Sequence, residues 1–153
     1  MTATRIWSGI RTNDPPFERS SYPELLEMAE TLLASRERRF PAMIGAGQIA
    51  ADQAERDLAI FRVIVADWRW IVTGEGEPAS EDTLQDRRAA LDASIATIAD
   101  IARDQGGFSE MLTDQAHRVI ALRWHLEPGS QTHFCASVTH ELRRRRALQG
   151  ERR

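Results

Sequence analysis

The stretch "MIGAGQIAADQAERD", residues 43–57, decides how the chain is read. Gly45-x-Gly47-x-x-Ala50 spells a dinucleotide-binding turn, and Asp67, 20 residues beyond Gly47, stands where such a fold places an acid for the ribose. That turn needs a buried strand before its first glycine and a second strand to carry the acid. The preceding "RERRFPAMI" (36–44) holds a proline and no β-branched run, and Asp67 falls within the most helical part of the chain. A helix-turn-helix reading also fails. A recognition helix must offer polar side chains to the groove, yet 12 of the 15 residues from Leu58 to Val72 are apolar. The stretch is therefore predicted to break one helix and start another. Gly45 and Gly47 supply positive φ, and Ile49 fills the gap below. No cofactor is expected.

Outward from the turn, the apolar residues follow helical spacing. Ala54, Leu58, Phe61, Val65, Trp68 and Val72 form a seam along a helix over 51–73, and Ile60, Val63, Ile64, Trp70 and Ile71 widen it. A helix so apolar must be covered on several sides, which makes it the centre of the core. Before it, "SYPELLEMAETLLASRERRF" (21–40) opens with Ser21 and Glu24 at capping-box spacing and Pro23 in the first turn. Its stripe is Leu25, Met28, Ala29, Leu32 and Leu33, and Pro41 is predicted to end it near Arg39. A third helix over 81–104 follows Ser80 as N-cap, with Leu84, Leu91, Ile95, Ile98 and Ala102 facing inward. Gly106-Gly107 stops it, and a fourth helix over 109–126 carries Leu112, Ala116, Val119, Ile120 and Leu126. Short connections between amphipathic helices predict an all-α, up-down bundle of four main helices. No alternating strand pattern is evident. Residues 1–20 read as an N-terminal arm, 21–129 as the helical bundle domain, and 130–153 as an Arg-rich tail or short fifth helix.

Residues 36–67, "RERRFPAMIGAGQIAADQAERDLAIFRVIVAD", resemble small uncharacterised helical proteins of proteobacterial prophages and mobile elements. In those, an Arg/Glu cluster, an aromatic-Pro pair, a Gly-x-Ile turn and a long helix follow one another. The resemblance implies a mobile-element origin and carries no activity with it.

Composition bounds the rest. All 20 basic residues are Arg, which reads as the codon bias of a GC-rich genome. Cys135 is the single cysteine, so an internal disulfide is excluded and a reducing compartment is expected. No stretch reaches the ~18 uninterrupted apolar residues of a membrane span. The expectation is a cytoplasmic protein that does not engage a membrane.

Candidate chemistry is thin. His117 and His125 are eight apart, about 12 Å along a helix, too far to share an ion unaided. His133, Cys135 and His140 have ligand and nucleophile types but no fourth ligand and no glycine-framed turn. Glu81/Asp82 and Asp100/Asp104 fall on solvent-facing positions near helix ends, where acids are ordinary. Asp67 is the one acid among apolar neighbours, and pairing with an Arg on an adjacent helix is its expected role. Neither a metal nor a catalytic residue is predicted.

Two features point to partners. "DWRWIV" and "LRWHLE" set Arg69 beside Trp68 and Trp70, and Arg123 beside Trp124; Trp70, Trp124, Arg69 and Arg123 are the candidate protein-interface residues. The tail holds Arg143, Arg144, Arg145 and Arg146 in a row, the candidate nucleic-acid contacts. Charge divides unevenly: residues 1–129 carry 14 Arg and 21 acids, −7, and residues 130–153 carry 6 Arg and 2 acids, +4. Phe134, Val138 and Leu142, at spacing four, are expected to dock the tail on the acidic bundle. The reading is a non-enzymatic protein–protein interaction protein, able to self-associate as a homo-oligomer. The alternative is a nucleic-acid-associated accessory protein acting through the tail.

Overall fold

The computed structural model describes residues 3–151; Met1, Thr2, Arg152 and Arg153, the ends of the expected arm and tail, lie outside them. The chain is predominantly helical. In order come β1 (Ala3–Trp7), β2 (Ile10–Asp14), α1 (Tyr22–Gly45), α2 (Ala51–Thr73), α3 (Leu84–Asp104), α4 (Glu110–Trp124) and α5 (Thr132–Glu151). Single 3-10 turns precede α1, α3 and α5.

Four of the six seam residues of α2, Ala54, Phe61, Val65 and Trp68, are buried, whereas Leu58 and Val72 are half-buried. Phe61 and Trp68 are 1% exposed, and Ile64, Val65 and Ile71 join them in the core. Helix α2 packs against both α1 and α3, and α4 closes the square by packing against α3 and α1. The Tyr22 and Trp68 rings meet at 6.0 Å near the start of α1, and Arg36 pairs with Asp57 at 3.6 Å farther along. Helices α1 and α2 are therefore antiparallel. Each large aliphatic or aromatic side chain buried here contributes about 1.5–3 kcal/mol, so the seam fixes which face of α2 points inward.

The glycine turn between α1 and α2 is a helix cap. Gly47 has φ +72°, its N–H donates to Ile44 O at 3.1 Å, and the Gln48 N–H donates to Met43 O at 2.9 Å. This pair of bonds is the Schellman arrangement, which needs a left-handed residue where Gly47 stands. Gly45 belongs to the last turn of α1 and takes no positive φ.

Three local expectations are corrected. Helix α1 does not stop near Arg39. It runs through Pro41 to Gly45, with buried Phe40 anchoring this last stretch. The missing proline N–H falls on an exposed turn, where the unpaired carbonyl can be hydrated. Ser21 does not act as a side-chain cap, because its backbone continues a 3-10 turn (φ −84°, ψ 59°).

The third correction concerns the N-terminus, where a β-hairpin replaces the expected arm. Ser8-Gly9 forms a two-residue turn with φ +50° and +87°, the geometry that matches strand twist. Trp7 pairs with Ile10 across it, and both belong to the hydrophobic core. The Trp7 indole N–H donates to Thr12 Oγ1 at 3.1 Å, and the Arg5 guanidinium lies 3.8 Å over the ring.

Phe61→Ala is expected to lower stability by about 3–5 kcal/mol in urea unfolding, since it empties a fully buried site. Arg62→Ala, which removes only an exposed pairing with Glu55 at 3.0 Å, should stay within about 0.5 kcal/mol. Trp7→Ala should also cost about 3–5 kcal/mol. A neutral Trp7→Ala would mean that the hairpin is not part of the core.

Candidate functional site

The site grows from Asp67, two residues short of the arginine of "DWRW" and 3% exposed. A buried carboxylate needs partners for every lone pair it keeps charged. Asp67 Oδ2 faces Arg87 Nη1 from α3 at 3.5 Å, and both side chains are 3% exposed. Asp67 Oδ1 accepts from the Ala79 N–H and from His133 Nε2, each at 2.8 Å. Arg87 in turn donates through Nε to Thr83 Oγ1 at 3.0 Å and through Nη2 to Ser80 O at 3.2 Å. Burial lowers the Arg87 pKa, and the Asp67 charge opposes that shift. One carboxylate thus joins α2, α3, the 74–80 connection and α5. The pairing expected for Asp67 is present.

Helix α5 is fixed to the C-terminal end of α2. His133 and His140, seven residues apart, lie on one face of α5, and Trp70 stands edge-on to both rings at 5.6 and 5.1 Å. His140 Nε2 donates to Trp70 O at 2.7 Å, and Arg143 Nη1 donates to Val72 O at 3.3 Å. The last carbonyls of a helix have no partners within it and favour donors and cations. Trp70 O already accepts from the capping Gly74 N–H at 2.9 Å, and α5 adds a second donor there and one at Val72 O. Gly74 closes α2 with φ +80°, and a Cβ there would meet the His140 ring at 3.4 Å.

This docking corrects the expected contact face. Thr132 and Ala136 are the buried residues of α5, whereas Phe134, Val138 and Leu142 are 68, 44 and 50% exposed. The helix also runs 20 residues, longer than a short tail helix. Of the four consecutive arginines, Arg143 caps α2, Arg144 and Arg145 pair with Glu141 at 3.1 and 3.3 Å, and Arg146 is exposed.

The remaining candidates lie near the C-terminal ends of α2 and α4. Arg69 is exposed and Trp70 is half-buried under α5. Trp124 is half-buried against His125, with ring centroids 4.9 Å apart. Arg123 pairs with Asp92 at 2.8 Å and Glu127 at 3.2 Å, and its cation-π neighbour is Trp7, at 5.9 Å. Burial opposes ionisation of Glu127, but the Arg5 hydrogen bond and the surrounding arginines outweigh it and hold the carboxyl below its ordinary range.

His125 ties the same end of the bundle together. Its Nε2–H donates to Arg19 O at 2.7 Å, so Nδ1 accepts from the Thr132 hydroxyl, also at 2.7 Å. Trp68 and Trp124 both stand edge-on to it. Burial lowers its pKa to about 4, against a smaller opposing effect of the Arg19 carbonyl. Asp67, His125 and His133 line an open cleft of about 320 Å³ with Arg88 and Phe134. Among the described residues no buried side-chain N or O lacks a partner. The chemistry of the arrangement is that of a clasp on α5.

Sequence reasoning missed His133, His140 and Arg87 as parts of one unit. The available signal was the seven-residue spacing of the histidines, two helical turns on the face opposite Phe134, Val138 and Leu142.

Removing one member of the buried pair should be costly. Asp67→Ala is expected to lose about 3–5 kcal/mol, because Arg87 is left charged and unpaired. Asp67→Leu combined with Arg87→Met should recover most of that loss in urea unfolding. A separate test concerns pH. The unfolded chain binds a proton on His125 below its ordinary 6.5, while the folded chain resists until about 4. The His125 contribution is therefore complete above pH 6.5 and is lost as pH falls toward 4, on the order of 3 kcal/mol at most. In His125→Gln that part of the slope should vanish; an unchanged slope would assign it to other groups.

No protein-family model, curated protein or solved structure matches the chain, so its function is read from these contacts.

Proposed function

We propose that the chain is a non-enzymatic helical interaction protein whose docking element is α5. The supporting observation is the orientation of that helix. Its polar face, through His133, His140 and Arg143, holds α2, and its apolar ridge of Phe134, Val138 and Leu142 faces solvent. An amphipathic helix in water normally hides its apolar face. One that displays three large apolar side chains at i, i+4 and i+8 has the form of a ligand for a groove on a partner. Beyond Arg143 the residues through Glu151 are all exposed, and Leu148 is 52% exposed. Short helical segments without packing are marginal in water, so a partner would also stabilise this end. Trp70 takes a supporting role by fixing α5. A place in a prophage or mobile element belongs to the same proposal and rests on the resemblance of residues 36–67.

The nucleic-acid alternative has less support. Three of its four arginines already have partners within the chain, and the −7 net charge of residues 1–129 disfavours phosphates.

The test uses the full chain as bait in a lysate of its source cells, beside Phe134→Ser/Leu142→Ser. Both positions are exposed, so the melting temperature should hold while a partner captured by the parent chain is lost. Capture unaffected by the double substitution would overturn the reading. A gel shift at low salt distinguishes the alternative: retention that falls steeply with salt and disappears in Arg144→Gln/Arg145→Gln/Arg146→Gln would favour nucleic acid.

A further inference from the structure

The ridge on α5 has a counterpart on the same chain. Between α2 and α3 runs an open groove of about 490 Å³, floored by Ala59, Ile60, Ala89 and Ala93 and edged by Asp57 and Asp86, with Arg56, paired to Asp52 at 3.3 Å, also on its rim. Ala59, Ala89 and Ala93 are exposed and Ile60 is half-buried, so the floor is apolar surface open to solvent. Helices pack by setting ridges of large side chains into grooves, and a floor of alanines lets a second helix approach closely. The two surfaces also differ in sign. The ridge lies on the segment that carries +4, and the groove lies on the part that carries −7. Helix α5 cannot occupy the groove of its own chain while clasped. It is tied to Asp67, Trp70 and Val72 at the C-terminal end of α2, whereas the groove begins at Gln53, in the first turn of that helix.

We infer that the occupant is a second copy of this chain, with the Phe134–Val138–Leu142 ridge of each copy seated in the α2–α3 groove of the other. The inference rests on the reading of α5 as a docking helix and adds the identity of what it docks on. Each copy carries both surfaces, so reciprocal use makes the contact twice and closes a two-fold dimer. Arg146, exposed beyond the ridge, then approaches Asp86 at the groove edge. Placing a cation on the groove floor or an acid on the ridge puts like charges face to face, which disfavours docking.

The experiment is sedimentation velocity on the full chain over a range of concentrations, with Ala89→Arg and Val138→Glu as variants. Both positions are exposed on helices and both new residues are good helix formers, so unfolding is not expected. Unchanged melting temperatures check this. The parent chain should form a concentration-dependent dimer, and each variant should weaken it on the order of tenfold or more. An equimolar mixture of the two variants should dimerise again. In that hetero-pair one contact is native on both sides, and the other sets the new Glu on α5 against the new Arg in the groove. A parent chain monomeric at every concentration would overturn the inference, and so would a dimer insensitive to Ala89→Arg. Dimers lost in Val138→Glu and not recovered on mixing would assign the contact to two α5 helices and also overturn it. A monomeric chain that still loses a captured partner with Phe134→Ser/Leu142→Ser would leave the docking reading intact and remove only the second copy as occupant.

Discussion

One buried carboxylate constrains where three other segments can lie. Asp67 sits on the most apolar helix of the chain, and removing its charge from water costs several kcal/mol unless the site returns that energy. The return comes from Arg87, the Ala79 amide and His133, each from a different part of the sequence. Helix α3 must present Arg87, the connection after α2 must bring Ala79 inward, and α5 must begin close enough for His133 to reach. None of these can move without leaving a lone pair or a charge of the buried carboxylate unmatched.

The orientation of α5 follows from that constraint. Its inner face meets the end of α2, where the last carbonyls favour further donors, so His140 adds a second bond to Trp70 O and Arg143 donates to Val72 O. The apolar residues of α5 are then left on the outside. In the other helices the core demands the apolar stripe, and the usual amphipathic arrangement results. Helix α5 is inverted because it packs on a helix terminus and a buried acid, not on an apolar groove.

That inversion separates what was legible in the sequence from what was not. The stripes of α1 to α4 could be read from spacing because burial of large aliphatic side chains dominates their placement. Pairing of Asp67 with an arginine was also legible, since an acid inside such a seam has few alternatives. The tail was misjudged because Phe134, Val138 and Leu142 have core spacing, and periodicity alone does not say whether an apolar face has anything to cover it. The hairpin was hidden for a related reason. Residues facing each other across it include Arg5 and Thr12, and Ile6 points to solvent, so the alternation of hydropathy is scrambled. The capped glycine turn was recognised as a helix break, but Pro41 was overruled by the buried Phe40 beside it.

The most direct test of the clasp is hydrogen exchange resolved along the chain, comparing the parent with Asp67→Asn. Asparagine keeps the shape of the side chain but loses the charge that Arg87 requires and turns one acceptor into a donor. Amide protection should fall selectively in the 74–80 connection and in residues 132–143 of α5, while α1 and α4 keep theirs. Equal loss of protection throughout, or α5 protection unchanged by Asp67→Asn, would contradict the claim that this carboxylate holds α5 in place.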